Sequence, residues 1–236
     1  NVMALNQNTG NVTEITYHYV PVDIGEKDMV GLVTIGSMAN AGATRAYIAD
    51  VIDLVEIYNE ATPAAESHKH FHLFVACGRH EPGKSSLFSE IADMVRTKKD
   101  AGTLPDNLYI VPMGFQSDEE MAPLMNRADF GVYGAGGLTT METLNASDPV
   151  RAHIFIHSDS KVDAKGMTDK EIEQKLLKGY ALWEKGNAQF QLRNKNYKAH
   201  LVSPEYVFTR RLRELFEIPR VTNLAFNPDQ EEKVAS

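Results

Sequence analysis

Residues 107–144, NLYIVPMGFQSDEEMAPLMNRADFGVYGAGGLTTMETL, are the stretch that decides the fold. Apolar runs predict strands at 108–111 and 130–133. Helical spacing predicts a short helix at 119–128 between them and a second helix at 139–146. Short apolar strands that alternate with helices are typical of parallel strands joined by helical crossovers.

A glycine turn at residues 134–137, GAGG, joins the second strand to its helix. Glycine lets backbone N–H groups come close to an anion, and the helix dipole favours negative charge at the same end. Glu142 lies three residues after Thr139, on the first turn of the predicted helix. A carboxylate beside a bound phosphate suits a nucleotide diphosphate, because the ribose hydroxyls need an acceptor. The alternative is a plain turn in which Glu142 only complements the helix dipole.

The same alternation continues on both sides of this stretch. Apolar runs predict strands at 29–35, 71–77 and 153–157, and helical spacing predicts helices at about 43–59 and 87–99. The repetition predicts an α/β fold with a Rossmann-like, doubly wound parallel sheet. Ligands of such sheets bind at the carboxyl ends of the strands.

The predicted Rossmann-like domain covers residues 29–227. Residues 1–28 form an N-terminal extension with a β-like run that we expect at the edge of the sheet. A lysine- and acid-rich insertion at 159–185 contains a predicted helix at 169–185. The charged tail at 228–236 has the composition of a disordered segment.

The glycine turn and its flanks resemble the nucleotide-sugar-binding half of GT-B glycosyltransferases. The similarity is greatest to the group that contains the bacterial N-acetylglucosaminyltransferases that form lipid II. That group shows a Gly-[Ala/Gly]-Leu-Thr turn after a strand and a Glu three residues after the Thr. Residues 136–142, GGLTTME, have the same register, and the preceding Ala128-Asp129 matches as well. The resemblance implies one half of a GT-B fold.

The resemblance also implies a set of donor-binding residues. The first loop faces the donor phosphates, a basic loop after the second strand binds the pyrophosphate, and the end of the third strand meets the nucleobase. The glycine turn binds phosphate, and an Asn-Ala pair lies near the donor sugar. By position, these residues are Gly36, Ser37, Arg79, Lys84, Met113, Phe115, Gly136, Gly137, Thr139, Thr140, Glu142 and Asn187. The loop at Gly36 and Ser37 also fits an ordinary turn, and Phe115 also fits the core.

The chain departs from the family just before Asn187. The family has a Gln-Gln or Asp-Gln pair there, which contacts hydroxyls of the donor sugar, whereas this chain has Trp183 and Glu184. Trp183 either stacks on a sugar face or belongs to the core, as a lone Trp on an amphipathic helix usually does. Glu184 either accepts from sugar hydroxyls or is solvated.

Residues 78–85, GRHEPGKS, match the P-loop pattern G-x-x-x-x-G-K-[ST] in full. A P-loop would place Lys84 on the β- and γ-phosphates and Ser85 on Mg²⁺. The motif follows the second strand of the alternation, however, and no acidic strand end follows it to hold the metal. A P-loop NTPase therefore stays an alternative.

The histidines do not predict a metal site. His68, His70 and His72 alternate before and within a strand, but no nearby carboxylate or cysteine completes a zinc site. His157 ends another strand, nearer the expected cleft. We expect no bound metal and no cofactor other than the donor substrate.

Charge and composition exclude several classes. A net charge of −8 makes nucleic acid a poor partner, because phosphate-backbone binders carry a basic face. The single cysteine, Cys77, allows no internal disulfide, which agrees with a reducing compartment. No apolar run reaches the roughly 20 residues of a transmembrane helix, and no signal-peptide pattern is present. We therefore expect a cytoplasmic protein.

These observations predict the donor-binding domain of a metal-independent glycosyltransferase that uses a UDP- or GDP-sugar. Helix-tip N–H groups, with Arg79 or Lys84, would stabilise the charge on the leaving nucleotide diphosphate. The chain begins with Asn rather than Met, so we expect an excised domain without the acceptor-binding half, which commonly supplies the base. The catalytic residue and the acceptor stay unidentified, and this fragment alone is expected to transfer poorly. The alternatives are a P-loop NTPase, a non-catalytic scaffold and a sugar-nucleotide epimerase.

Overall fold

In the part of the chain that the structure describes, eight strands form two sheets. A computed structural model describes residues 2–5, 17–20, 22–35, 40–62, 69–78, 86–162, 166–204 and 206–218. The strands are β1 (Val2–Leu5), β2 (Tyr17–Val20), β3 (Met29–Thr34), β4 (Phe71–Ala76), β5 (Leu108–Met113), β6 (Phe130–Tyr133), β7 (His153–His157) and β8 (Lys198–Val202). The first two form an antiparallel pair. The other six are parallel, in the order β5-β4-β3-β6-β7-β8.

The described residues form seven helices, of which the first six connect strands and the last follows β8. They are α1 (Ala41–Ala61), α2 (Leu87–Asp100), α3 (Asp118–Arg127), α4 (Gly137–Ala146), α5 (Asp169–Leu176), α6 (Leu182–Arg193) and α7 (Tyr206–Leu215), with a 3-10 turn at Leu177–Gly179. No helix among the described residues is both long and apolar enough to span a bilayer.

The order of the strands creates a crevice at one edge of the sheet. From β3 the chain steps outward through β4 to β5, and it then returns to β6 and steps the other way to β8. Parallel crossovers are right-handed, so α1 and α2 lie on one face and α3 to α6 on the other. The loops after the neighbouring strands β3 and β6 therefore diverge. Such a switch point opens a crevice at the carboxyl ends of the strands.

The structure confirms the α/β class and the Rossmann-like, doubly wound parallel sheet. The predicted strands agree with the observed ones to within two residues at either end. The strand β1 approaches β5, an edge strand of the larger sheet. The domain bounds at residues 29 and 227 stay predictions.

The single helix predicted at 169–185 is wrong. The helix α5 ends at Leu176, whose carbonyl accepts from the Ser158 hydroxyl at 2.8 Å, and the chain is extended at Tyr180. The Tyr180 hydroxyl donates to the carbonyl of His157 at 2.6 Å. These contacts tie the segment to the end of β7, so a new helix, α6, begins at Leu182.

The contact between β3 and β6 requires a glycine at position 31. Gly31 is the neighbour of Phe130 across this pair, and the Phe130 ring lies over the glycine. A Cβ atom on Gly31 would stand 2.2 Å from Cζ of Phe130. Phe130 is only 2% exposed and packs against the rings of Phe155 and Phe208, so it has little room to move.

We expect Gly31→Ala to lower the free energy of unfolding by about 1–3 kcal/mol, the usual cost of overpacking a core. Urea unfolding followed by circular dichroism measures the change. The matched control is Gly186→Ala in α6, where nothing lies within 4 Å of the added Cβ. That variant should be stabilised by up to about 1 kcal/mol, because alanine is the better helix former. Equal urea midpoints for Gly31→Ala and the unaltered chain would contradict the packing described here.

Candidate functional site

The glycine turn after β6 lies beside the switch-point crevice. Gly136 is the N-cap residue of α4, and the first hydrogen bond of the helix runs from Thr140 N to Gly136 O at 2.9 Å. Among the described residues, no side chain caps this helix end. Gly137 belongs to the first turn of the helix rather than to the loop. The first N–H groups of α4 therefore have no helical acceptor and point toward the crevice.

The helix α6 packs against this turn through two amide side chains. Asn187 Nδ2 donates to the carbonyl of Ala135 at 2.9 Å, and Gln191 Nε2 donates to the hydroxyl of Thr140 at 3.0 Å. Thr140 and Gln191 are both buried. Asn187 and Thr140, two of the predicted donor-binding residues, thus hold α6 against the glycine turn and against α4. Thr139 is half-buried on the first turn of α4.

Glu142 lies on the second turn of α4 rather than on the first turn, because the helix begins at Gly137. Its side chain is half-buried. Burial raises the pKa of Glu142, and the nearby charge of Asp118 raises it further. Since Asp118 is the first residue of α3, Glu142 lies on the side of the glycine turn that faces the loop after β5.

The two candidates at the end of β5 differ in exposure. The side chain of Met113 is 1% exposed and belongs to the core. Phe115 is 50% exposed in the loop that follows, so the core interpretation of Phe115 is wrong. Only Phe115 of this pair presents a side chain to a ligand at the carboxyl edge.

Four candidates lie outside the described residues, namely Gly36, Ser37, Arg79 and Lys84. Residues 79–85, most of the P-loop match, and His68 lie outside them too. The helix α2 starts after the match, at Leu87, and Ser86 is its N-cap residue. The Ser86 hydroxyl accepts from Ser89 N at 3.1 Å, so the chain itself satisfies one of the N-terminal donors of α2.

Asp159, which sequence reasoning did not select as a site residue, anchors a network across the crevice. Its Oδ1 accepts from His157 Nε2 at 3.0 Å and from Asn40 Nδ2 at 2.9 Å. Because a carboxylate only accepts, Nε2 of His157 carries the proton, and Nδ1 accepts from the Tyr47 hydroxyl at 2.9 Å. Asn40 is also the N-cap of α1. The only sequence signal was the position of His157 and Asp159 at a strand end.

The strand order places this network beside the glycine turn. Asn40 follows β3 and Asp159 follows β7, and β6 lies between these two strands in the sheet. The Asn40–Asp159 hydrogen bond therefore passes close to the carboxyl end of β6, where the turn begins. Asp159 is 71% exposed, whereas His157 is 6% exposed.

Trp183 and Glu184 lie in the first turn of α6. Trp183 is 73% exposed, so the core interpretation of this residue is wrong. Because α6 precedes β8 and runs antiparallel to it, this first turn lies at the carboxyl edge of the sheet. Glu184 is half-buried.

A second histidine cluster lies at the opposite edge of the sheet. His72 Nε2 donates to Asp28 at 3.1 Å, and His70 Nδ1 lies 4.0 Å from the same carboxylate. The expectation that no carboxylate lies near these histidines is wrong, because Asp28 is distant in sequence and close in space. Even so, no group of three or more His, Cys, Asp or Glu side chains in the described ranges is arranged to hold a metal ion.

Comparison with known proteins finds little. No family model matches this sequence, and no curated protein matches it. Among solved structures, the chain is similar to OtsA in its apo form, with 12% sequence identity and a TM-score of 0.37. The match covers 82% of this chain and 40% of the OtsA chain. This chain therefore spans less than half of the length of OtsA. A similarity this low carries no inference about function.

We expect Asp159→Asn to lower the pKa of His157. Burial already holds this pKa below its ordinary value, while the hydrogen bond and the charge of Asp159 oppose that effect. Without the charge of Asp159, the effect of burial dominates further and the pKa of His157 falls. The measurement is a pH titration of labelled histidine by NMR, with His157→Gln to assign the signal. Asp106→Asn, at the other edge of the sheet, is the control, and a rise in Asp159→Asn would contradict the network.

The lowered pKa of His157 also determines how the stability of the fold depends on pH. The unfolded chain binds a proton at an ordinary histidine pKa of about 6.5, and folded His157 binds it only at lower pH. This residue therefore makes the free energy of unfolding fall as the pH drops below about 6.5. The fall should be smaller in His157→Gln, as measured by urea unfolding at several pH values.

Proposed function

We propose that this chain is the donor-binding domain of a glycosyltransferase with a GT-B architecture, and that it binds a nucleotide diphosphate sugar without a metal ion. The observation that carries the proposal is the uncapped amino end of α4 at the switch-point crevice. Crevices at this position are the ligand sites of open α/β sheets. Free helix N–H groups with a positive dipole end are suited to the diphosphate.

The spacing of the strands agrees with the length of a nucleotide. Phe115 follows β5, and the glycine turn follows β6, three strands away in the sheet. Neighbouring strands are about 4.8 Å apart, so these two points are about 14 Å apart. An extended nucleoside diphosphate can bridge that distance, with its base on the ring of Phe115.

Glu142 would lie beside this path. It faces Asp118 at the start of α3, between the glycine turn and the loop that carries Phe115. A carboxylate at this position would accept hydrogen bonds from the ribose hydroxyls. The order along the crevice is then base, ribose and diphosphate.

The chemistry of transfer would be displacement at the anomeric carbon of the sugar, with the nucleotide diphosphate as the leaving group. The N–H groups of Gly137 and its neighbours would stabilise the charge that develops on the departing phosphate. Arg79 and Lys84 follow β4 in the sequence and would add positive charge on the same side. The acceptor and the base that activates it would belong to the other half of the enzyme.

Calorimetric titration tests this function. UDP, GDP, ATP and GTP are titrated into the chain, first in EDTA and then with Mg²⁺. We expect UDP or GDP to bind in EDTA, and we expect Glu142→Ala to weaken that binding by about 10-fold or more, because a hydrogen bond to a charged group contributes roughly 1.5–3 kcal/mol. Glu56→Ala, an exposed glutamate far along α1, is the matched control and should bind normally.

Other results would replace the proposal. Triphosphate binding that requires Mg²⁺ and is lost in Lys84→Ala would favour the P-loop NTPase. The absence of binding for all four nucleotides would favour a non-catalytic scaffold.

A further inference from the structure

We propose that two copies of this chain associate through the exposed surface of α4 and α6, around a two-fold axis that runs along the groove between these helices. The surface lies on the solvent side of the helices, and its use requires no nucleotide. The association is therefore independent of the proposed function.

Large apolar side chains are exposed along the two helices. The described residues contain eight exposed large hydrophobic side chains, and five of the eight belong to α4 or α6. Scattered exposed hydrophobic residues are normal, whereas a contiguous group marks an interaction surface. The group, called the apolar face below, consists of Leu138, Met141, Leu182, Trp183 and Phe190.

The two helices run side by side in the same direction, so the apolar face is continuous across them. Asn187 and Gln191, one turn apart on α6, contact first the glycine turn and then Thr140 on α4. Met141 follows Thr140, and Phe190 precedes Gln191. The exposed side chains of Met141 and Phe190 therefore lie on the two sides of one groove.

The apolar face is open at the middle of α6. Gly186 lies between Leu182 and Phe190 at intervals of four residues, so the three share one side of the helix. Nothing lies within 4 Å of a Cβ atom added at Gly186. A helix of a second copy can therefore approach the backbone of α6 closely at this point.

The rim of the apolar face next to α3 is acidic. Asp118 and Glu119 begin α3 and are both exposed, and Asp118 is close enough to raise the pKa of Glu142 on α4. The one basic residue of α3, Arg127, lies at the other end of that helix and pairs with Asp129. This side therefore carries net negative charge.

The opposite rim is basic. Lys185 and Arg193 each lie two residues from a side chain that contacts α4, Asn187 and Gln191 respectively. Two residues correspond to about 200° around a helix, so both cations point away from α4. Beyond Leu192, a cavity shared with α5, β8 and α7 is lined by two arginines and two carboxylates, which balance. The two cations of α6 therefore set the sign of this rim.

The two rims select one arrangement of the pair. An axis along the groove lays α4 of each copy on α6 of the other, so that apolar side chains meet and each acidic rim faces a basic rim. An axis across the helices would instead bring the two acidic rims together. Like charges that face each other across an interface oppose association. The selected arrangement forms the same contact twice, as in an isologous dimer.

The same charges argue against a lipid bilayer as the occupant. An anionic bilayer attracts a polybasic surface. Here it would attract one rim and repel the other, and the whole chain carries a net charge of −8. A second copy presents both signs in the complementary order, and it therefore fits the charge pattern better.

The size of the apolar face predicts weak association. It is two helices wide, and the distance from Leu182 to Phe190 along α6 is about 12 Å. This size belongs to the low end of protein interfaces. We therefore expect a dissociation constant on the order of 10–100 μM.

Sedimentation velocity at about 1–200 μM tests the association. The average sedimentation coefficient should rise with concentration toward that of a dimer. The emission of Trp183, the only tryptophan in the chain, should shift to shorter wavelength over the same range, because the indole leaves water. A rise in mass without that shift would place the contact elsewhere and overturn the proposal.

Gly186→Arg should abolish association, because it places a charged side chain in the apolar face of both copies. A single copy has room for this side chain, and arginine is a better helix former than glycine. The urea midpoint at low concentration should therefore not fall. The control is Ala49→Arg, the same change of charge at an exposed position of α1 on the other face of the sheet. An unchanged dissociation constant in Gly186→Arg would contradict the proposal.

A mixture of two variants tests the two-fold arrangement. Lys185→Glu and Glu119→Lys should each weaken association by about 5-fold or more, because like charges then face each other twice. In an equimolar mixture, the intact acidic rim of one variant meets the intact basic rim of the other, and the two reversed rims also match. Association should then recover. A mixture that associates no better than either variant alone would overturn the arrangement.

Flotation with vesicles of phosphatidylcholine and phosphatidylserine separates a lipid surface from a second copy. We expect the chain to stay with the free protein. A chain that is monomeric at every concentration overturns the proposal. If that chain floats with the vesicles and Gly186→Arg does not, the apolar face binds lipid instead.

Discussion

The pairing of β3 with β6 is the contact on which the rest of the structure depends. Asp129 binds the first part of β3 twice, since its N–H donates to Val30 O at 2.8 Å and its carboxylate accepts from Val30 N at 2.7 Å. Arg127 donates to the same carboxylate at 3.2 Å. Gly31 then admits the ring of Phe130 between the strands. If this seam slipped by one residue, the side chains of the slipped strand would turn to the opposite face of the sheet, and Gly31 would no longer face Phe130.

The walls of the crevice are held by polar contacts inside the protein. Asn187 joins α6 to the glycine turn and Gln191 joins it to α4, while the hydrogen bonds Tyr47–His157–Asp159 join α1 to the end of β7. Each buried group in these contacts would cost about 1–3 kcal/mol if it lost its partner. The positions of the helix ends around the crevice are therefore fixed before a ligand arrives. Preorganisation of this kind reduces the entropy that binding must overcome.

The sequence was sufficient for five of the six strands of the larger sheet and for the glycine turn, because both leave local patterns. Continuous apolar runs such as His153–His157 mark strands that are buried on both faces. The helix α6 left no such pattern, since its exposed face carries Leu182, Trp183 and Phe190, and glycine interrupts it at position 186. Apolar side chains on the solvent face remove the periodicity from which a helix is predicted. The core interpretation of Trp183 came instead from the usual place of a lone Trp on an amphipathic helix.

Asp159 could not be found from the sequence, because one of its partners, Asn40, is 119 residues away. The network exists only because β6 enters the sheet between β3 and β7 after the chain has already formed β4 and β5. The same is true at the other edge of the sheet, where Asp28 contacts His72, 44 residues away in the sequence. Local patterns predict elements, whereas contacts between loops depend on strand order.

Charge limits what the proposed site can bind. Glu142 lies on the second turn of α4, and Asp159 follows β7, the neighbour of β6, so a diphosphate at the amino end of α4 would have two carboxylates in the same region. The helix end offers only about half a positive charge. Binding of a diphosphate would therefore need further cations, and Arg79 and Lys84 follow the strand next to β3 in the sheet. The same two carboxylates would repel phosphate groups from the flanks and favour hydroxyl groups there. That preference fits the hydroxyl groups of a ribose beside Glu142, with the diphosphate at the glycine turn.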